Sequence, residues 1–405
     1  MPSYSYKARD TSGKRVSGTM EGATKAEVID KLHKMGYMPT SIVEVAAGIV
    51  KMGSIFDRLK WISTDDMLLF YIQLSNMISA NITILMSLST LGKQIENNTL
   101  REAVANVSRQ VEAGSNLSHA FSTEPRIFNR LFINMIKAGE ASGKMDTVLM
   151  RYADFFEKQE DLKQKIKGAL FYPIILMVAG MSVVLLIVTF VTPKFAEIYM
   201  KAGISLPVPT QIVYQIGIAI KRYWYLIIGA AVAAFLGARK YFRTERGKFL
   251  LDKSKLKMPV IGSVYRKVAV ARFSRTLATL LGSGVPILES LDIVRDVVGN
   301  EALALVIEDV SRGVEKGERM SDTLKISEEF PSDVVQMVSV GEETGALDTM
   351  LNRIADFYDM TVSYAVKKMT TIIEPVFLVI TGVMVGCIMA SMLLPIFDMI
   401  KALRH

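Results

Sequence analysis

The sequence has few of the residues that form disulfide bonds or zinc sites. Its 405 residues include one cysteine, Cys387, and three histidines, His33, His119 and His405, all far apart in the chain. A single cysteine excludes an intramolecular disulfide bond. Zinc is usually held by closely spaced Cys and His ligands, so this scatter argues against a zinc site. We therefore expect a fold that needs neither.

Motifs for nucleotide binding and for common hydrolases are also lacking. The segment Gly139-x3-Gly143-Lys144 is one residue too short between its glycines for a phosphate-binding loop, and Met145 follows where Ser or Thr is needed. Neither HExxH nor GxSxG occurs. Intramembrane aspartyl proteolysis needs two embedded acids, whereas the long apolar segments contain only Glu374. We therefore predict that the protein is not an enzyme and has no cofactor.

What the sequence does have is long segments without charge. Residues 169–192 contain no charged residue, and a helix of 24 residues reaches ~36 Å, enough to cross ~30 Å of hydrocarbon. Residues 371–394 form a second long apolar segment, with Glu374 near its start as its one charged residue, and residues 223–238 form a shorter uncharged one. We predict three transmembrane helices, with a buried helix of a soluble domain as the alternative for residues 223–238. The first ten residues have no apolar run, so we expect no cleavable signal peptide.

The positive charge is concentrated in one place. Ten basic and two acidic residues lie between Arg239 and Lys267, which accounts for the whole net charge of +8. This stretch directly follows an apolar segment, which favours a juxtamembrane region attracted to anionic lipid over a nucleic-acid patch. By the positive-inside rule, residues 1–168 and 239–370 are predicted to be cytoplasmic. Residues 193–222 and 395–405 are then a periplasmic loop and a short periplasmic tail.

The two predicted cytoplasmic regions repeat each other. Phe70-x3-Leu74 matches Phe273-x3-Leu277 at an offset of 203 residues, and later matches have an offset of 202. The later matches include the pair Pro173 and Pro375, each at the start of an apolar segment. Ordered matches at a nearly constant offset indicate a duplication.

The pattern predicts a mainly α-helical, polytopic membrane protein with two homologous cytoplasmic helical-bundle domains, three transmembrane helices and a small α+β N-terminal extension. We expect boxes at Thr24, Ser63 and Thr99 to cap helices. We also expect the last cytoplasmic helix of each repeat to continue into its span and bend at the proline. The predicted segments are a ββαβ-like extension (1–45), an amphipathic linker (46–63), helical domain 1 (64–168), span 1 (169–192), the periplasmic loop (193–222), span 2 (223–238), the basic segment with helical domain 2 (239–370), span 3 (371–394) and the tail (395–405).

One motif occurs in both repeats and is the main candidate site. Its form is Gly-Glu-x-x-Gly-x-hydrophobic-Asp, and its members are Gly139, Glu140, Gly143 and Asp146 in the first repeat and Gly341, Glu342, Gly345 and Asp348 in the second. In a structural interpretation the second glycine ends one helix and the aspartate caps the next. In a functional interpretation the carboxylates bind a partner or a hard cation such as Ca²⁺.

Two further candidates lie in the membrane. Glu374 beside Pro375 is expected to reach the interface near Lys367 or Lys368, or else to contact a polar group of a partner. The spacing Gly382-x3-Gly386 places small residues on one helix face, which suits close helix packing within the chain or between protomers.

Several of these features together resemble one known family. They are the duplicated domain with its Gly-Glu-Ala-Ser-Gly motif, Tyr172-Pro173, the segment 193–197 (Pro-Lys-Phe-Ala-Glu) and the N-terminal Tyr6-Lys-Ala-Arg-Asp-x-x-Gly13. The sequence is similar to the inner-membrane platform proteins of type II secretion and type IV pilus assembly, the GspF/PilC family. The similarity extends from Tyr4 to about Pro395.

The resemblance implies a non-enzymatic component of the bacterial inner membrane that forms homo-oligomers. Its implied partners are a hexameric cytoplasmic assembly ATPase, pilins or pseudopilins, and other inner-membrane assembly proteins. It also implies metal binding in the first cytoplasmic domain, which we carry over only to Glu140 and Asp146. Pilus assembly is slightly favoured over secretion. The alternatives from other classes are a membrane receptor or a transporter subunit with duplicated cytoplasmic domains.

Overall fold

The computed structural model describes residues 3–9, 15–21, 24–45, 62–201, 206, 208–242, 244–258, 261–327 and 329–402. These residues are mostly helical, which confirms the predicted fold class. They fall into two compact units, Met1–Asn129 and Arg130–His405, each described here by itself. The boundary lies inside the predicted helical domain 1. Most of the predicted linker, residues 46–61, lies outside the described residues.

The first unit begins with a small sheet and one helix. Strand β1 is Ser3–Arg9, β2 is Arg15–Glu21, helix α1 is Lys25–Lys34 and β3 is Met38–Val45. The sheet is antiparallel with the order β2-β1-β3, and α1 packs on it through Val28 and Leu32. The Thr24 side chain accepts a hydrogen bond from the Glu27 amide at 3.4 Å, as its box predicts. The ββαβ prediction is confirmed.

Four helices complete the described part of the first unit. They are α2 (Thr64–Ser79), α3 (Ile84–Gln94), α4 (Asn98–Glu112) and α5 (Leu117–Ser122). Ser63 and Asp66 form the predicted capping box of α2. The box predicted at Thr99 is wrong, because Asn97 caps α4 by accepting from the amides of Thr99 and Leu100 at 3.0 and 3.2 Å. Asparagine is a stronger N-cap than threonine, and it begins the helix two residues earlier.

The second unit contains the remaining helices and all three apolar spans. Its helices are α6 (Arg130–Ser142), α7 (Met145–Leu186), α8 (Thr192–Lys201), α9 (Val208–Tyr241), α10 (Glu245–Lys257), α11 (Ile261–Gly282), α12 (Ile287–Val297), α13 (Glu301–Glu315), α14 (Met320–Ile326), α15 (Ser332–Thr344) and α16 (Leu347–Ala402). One π-helical turn, Ile187–Val191, joins α7 to α8.

The helix boundaries confirm the duplication. Helices α12 and α13 start and end 203 residues after α3 and α4, and α15 starts and ends 202 residues after α6. The lost residue lies in the loop before α15, where a deletion disturbs no helix. Each repeat also buries an equivalent aromatic pair. The rings of Phe70 and Phe128 are 5.8 Å apart, and those of Phe273 and Phe330 are 5.0 Å apart.

Three helices are long and apolar enough to cross a membrane, as predicted. Helix α7 continues from the bundle into its span with Pro173 inside it, and α16 likewise extends from Leu347 to Ala402. The predicted bends at the prolines stay predictions. Residues 193–222, which we predicted as a loop, are instead mainly helical: α8 continues the first span, and α9 begins at Val208 and is interrupted at Tyr223. Apolar residues such as Ile198 and Ile212 extend these helices beyond the uncharged segments.

Candidate functional site

In the second repeat, the glutamate of the shared motif stabilises a helix. Glu342 accepts hydrogen bonds from the amides of Met320 and Ser321 at 2.6 and 3.0 Å, and from the Ser321 hydroxyl at 2.6 Å. A carboxylate at the N-terminus of α14 satisfies amides that have no partner within the helix and opposes the helix dipole favourably. The function of Glu342 visible in the structure is therefore to attach α14 to α15.

The glycines of the motif have separate and equivalent functions in the two repeats. A Cβ at Gly139 would lie 3.3 Å from Val148 Cβ, and one at Gly341 would lie 3.0 Å from Leu347 Cα. Both glycines thus let the next helix approach closely. Gly143 and Gly345 have φ values of 70° and 67°, the left-handed conformation that ends a helix. The predicted helix ends at these two glycines are confirmed.

The aspartates of the motif do not cap helices as predicted. Asp146 and Asp348 lie in the first turns of α7 and α16, and the N-cap position of α7 is Lys144, which makes no side-chain capping bond. Helix α7 begins at Met145, so Asp146 is already the second residue of the helix and cannot be its N-cap. An acid in the first turn still interacts favourably with the helix dipole.

A cation at Glu140 and Asp146 stays a prediction. Glu140 lies on α6 and Asp146 on α7, in adjacent segments of the second unit. Within the described ranges, no cluster of three or more Asp, Glu, His or Cys side chains forms a metal site. Hard cations such as Ca²⁺ take six to eight oxygen ligands, so backbone carbonyls and water would have to supply most of them here.

Glu374 forms a hydrogen bond with Tyr172, the residue that occupies the equivalent position in the first repeat. The Tyr172 hydroxyl donates to Glu374 Oε1 at 3.2 Å, and both residues directly precede the prolines of their spans. The carboxylate therefore has a partner on α7 where α7 and α16 enter the apolar region. Pro173 itself is buried. The predicted approach of Glu374 to the interface near Lys367 or Lys368 stays a prediction beside this hydrogen bond.

An ionic cluster links the two repeats outside the apolar spans. Arg275 on α11 donates to Asp356 and Asp359 on α16 at 2.7 and 2.8 Å, and Lys158 on α7 lies 3.4 Å from Asp356. The Arg275 side chain is only 6% exposed. Sequence reasoning missed this cluster, although Arg275 is a signal in itself, since Arg interrupts an otherwise apolar helix face.

Close packing in the membrane uses other glycines than those predicted. A Cβ at Gly180 would lie 2.7 Å from the Phe377 ring, and one at Gly217 would lie 2.2 Å from the Val188 carbonyl oxygen. Gly382 and Gly386 have no such neighbour among the described residues. Packing on Gly382 and Gly386 within this part of the chain is therefore not seen, and packing between protomers stays a prediction.

Comparison with known families agrees with this duplicated architecture. A family model described as type II secretion system (T2SS), protein F, matches residues 70–193 and again residues 273–395. A model of that protein's N-terminal domain matches residues 1–43. The chain belongs to the type II secretion system protein F family. It is a multi-pass membrane protein with two copies of the family's domain.

Full-length relatives of this chain are named either as type IV pilus assembly proteins or as type II secretion system proteins. A type IV pilus assembly protein PilC from Thermus thermophilus is 39% identical over 404 residues, covering 100% of this chain and 99% of the relative. A PilC from Myxococcus xanthus is 36% identical, covering 99% and 96%. A type II secretion system protein F from Xanthomonas campestris is 33% identical, covering 100% of both chains.

Proposed function

We propose that this protein is the inner-membrane platform of a pilus-assembly machine and passes movement from a cytoplasmic motor to pilin subunits in the membrane. Its proposed partners are a hexameric assembly ATPase, pilins, other inner-membrane assembly proteins and further copies of itself. Both helical bundles lie in the cytoplasm, and the ends of α8 and α16 reach the periplasmic side. The protein has no catalytic function of its own, and ATP is hydrolysed in the partner.

The observation that supports this proposal is the continuity of two helices. Helix α7 has 42 residues and α16 has 56, which correspond to ~63 and ~84 Å of helix. About half of each helix packs in the bundle region, and the remainder is apolar and long enough to cross the bilayer. A displacement of the bundle part of either helix would therefore be passed to its span along one continuous helix, which contains Pro173 in α7 and Pro375 in α16.

A pilus function is preferred to secretion on the names of the relatives. The two PilC proteins are 39% and 36% identical, against 33% for the secretion protein. The difference is small, so secretion through pseudopilins stays the second candidate. A receptor or transporter subunit is not favoured, because full-length relatives have assembly and secretion names.

In-cell photo-crosslinking in the native host tests the proposal. One probe replaces Ile326, which is 84% exposed in the second bundle, and another replaces Met86, which is 61% exposed in the first. A third probe replaces Val379, which is 64% exposed in the third span. We expect crosslinks from the bundles to an assembly ATPase and from Val379 to a pilin. A probe at the buried Leu303 is the matched control and should give no partner crosslinks.

The partners captured decide between the candidates. Pseudopilins and a secretion ATPase would replace the pilus proposal with the secretion proposal. Crosslinks from the bundles to a permease or to signalling proteins, without an ATPase, would overturn both and favour a transporter subunit or a receptor.

A further inference from the structure

A cavity of about 420 Å³ lies between α7, α11 and α16. Five basic side chains line it, namely Lys158, Lys163, Lys167, Arg272 and Arg275. The acidic side chains in its lining are Glu160 and Asp359. Lys167 lies two residues before the uncharged segment 169–192, so one end of the cavity is at the start of the span.

The acids of the cavity already have partners, and two of the cations do not. Glu160 pairs with Lys163 at 2.9 Å, and Asp359 pairs with Arg275 at 2.8 Å. Lys158 lies 3.4 Å from Asp356. Neither Lys167 nor Arg272 pairs with a carboxylate anywhere in the described ranges. The cavity therefore has an excess of positive charge that no acid of the described chain neutralises.

Several residues that line this cavity have hydrogen-bond donors without acceptors. Arg272 is partly buried, and its guanidinium makes one hydrogen bond, from Nη1 to the Val298 carbonyl at 3.4 Å. Burial lowers the pKa of Arg272, which means that its charge is held at a cost. Arg275 is 5% exposed, and its Nε–H has no acceptor, like the Nε2 group of Gln159 beside it. Buried N–H groups are almost always paired, so these residues keep donor capacity that the described chain leaves unused.

We propose that this cavity binds the phosphate group of an anionic lipid. Arginine presents several donors in a planar fork that suits phosphate oxygens, and Arg272 has such donors to spare. Basic pockets between membrane helices on the cytoplasmic side are typical sites for anionic headgroups. Lys167 and Arg272 line the same cavity, so a headgroup that enters beside Lys167 shares the cavity with Arg272 while its acyl chains extend along the span. The apolar side chains of Leu162 and Ile166 line the same wall.

The cavity is lined by residues of both repeats, so a lipid bound in it would contact both. Lys158, Lys163 and Lys167 come from the first repeat, and Arg272 and Arg275 come from the second. A bound phosphate would therefore connect α7 to α11. This inference depends on the membrane spans but not on the identity of the assembly machine, so the two proposals fail independently.

The test uses the full chain, purified in a mild detergent, and native mass spectrometry to count retained lipids. The probes are phosphatidylglycerol, phosphatidylcholine and inorganic phosphate. The variants are Lys167→Gln and Arg272→Gln, and the control is Lys316→Gln, an exposed lysine outside both the cavity and the basic segment 239–267. We expect retention of phosphatidylglycerol but not phosphatidylcholine, with roughly fivefold weaker retention in each cavity variant and none of this weakening in the control.

The remaining results each contradict some part of the proposal. If inorganic phosphate displaces phosphatidylglycerol and stabilises the protein equally well, the ligand is a soluble phosphate rather than a lipid. If Lys316→Gln weakens retention as much as the cavity variants do, binding is general surface attraction and the site is refuted. Lys167 is exposed, so Lys167→Gln is expected to fold and to give a result even if Arg272→Gln does not.

Discussion

The two repeats have the same core but different charges facing it. Both bury the aromatic pair and both use a glycine to bring two helices together, as at Gly139 and Gly341. The second repeat has Arg272 and Arg275 on α11, where the aligned positions of α2 are Leu69 and Ile72.

This difference changes what the equivalent acids do. Asp356 and Asp359 are paired by Arg275, whereas the aligned Asp154 and Glu157 are exposed and have no ion-pair partner in the described ranges. The two repeats thus share the packing that folds each bundle, whereas only the acids of the second repeat pair with Arg275. We infer that the two repeats are folded by equivalent cores but differ in function.

The largest expected effect tests the shared core. Phe70→Ala and Phe273→Ala each remove a ring that is at most 2% exposed, so each should lower the local free energy of unfolding by about 3–5 kcal/mol. Hydrogen exchange with mass spectrometry would show the loss in the helices of the altered repeat. Phe357→Ala, at a ring that is 52% exposed, is the control and should cost far less. A large loss in only one repeat would contradict a common core.

A smaller effect is expected where the repeats differ. Arg275→Gln leaves Asp359 without its buried cation and should lower the stability of α11 and α16 by roughly 2 kcal/mol, since Asp356 remains largely solvated. Helices α2 to α5 should keep their exchange protection. The control is Arg312→Gln, which breaks an exposed pair with Glu308 and should cost at most about 0.5 kcal/mol. Equal losses of stability in the two variants would mean that the Arg275 cluster stabilises the protein no more than an exposed ion pair does.

The smallest effect concerns the motif glutamate. Glu342→Gln removes the charge that caps α14 and should cost about 1 kcal/mol, seen as faster exchange in that helix. Its neighbour Glu343 pairs with Arg319 on the surface, so Glu343→Gln is a matched control with little expected change. If Glu342→Gln abolished assembly with unchanged exchange, the glutamate would have a partner-binding function that its capping bonds do not explain.

The sequence predicted the features that depend on local pattern. Long segments with almost no charged residues predict the membrane spans, and sequence matches at a nearly constant offset predict the two repeats. A glycine after a segment with helical apolar periodicity predicts the helix ends at Gly143 and Gly345. It did not predict the helices across residues 193–222, in part because Lys221 and Arg222 separate the uncharged residues 208–220 from the segment 223–238. It also missed the Arg275 cluster and the contacts at Gly180 and Gly217. These depend on which helices meet, and residue spacing in one helix does not specify that.

The most direct test of the coupling proposal is to interrupt each long helix between its bundle and its span. Gly168→Pro and Thr370→Pro are at equivalent positions and each removes a helical hydrogen bond, at a cost of ~3 kcal/mol. Gly168→Ala and Thr370→Ala are the controls, and limited proteolysis would verify that both bundles remain folded. We predict that the proline variants insert normally but lose pilus assembly, measured as surface pili, while the alanine variants keep it. Normal piliation in both proline variants would contradict the proposal that rigid helices transmit the movement.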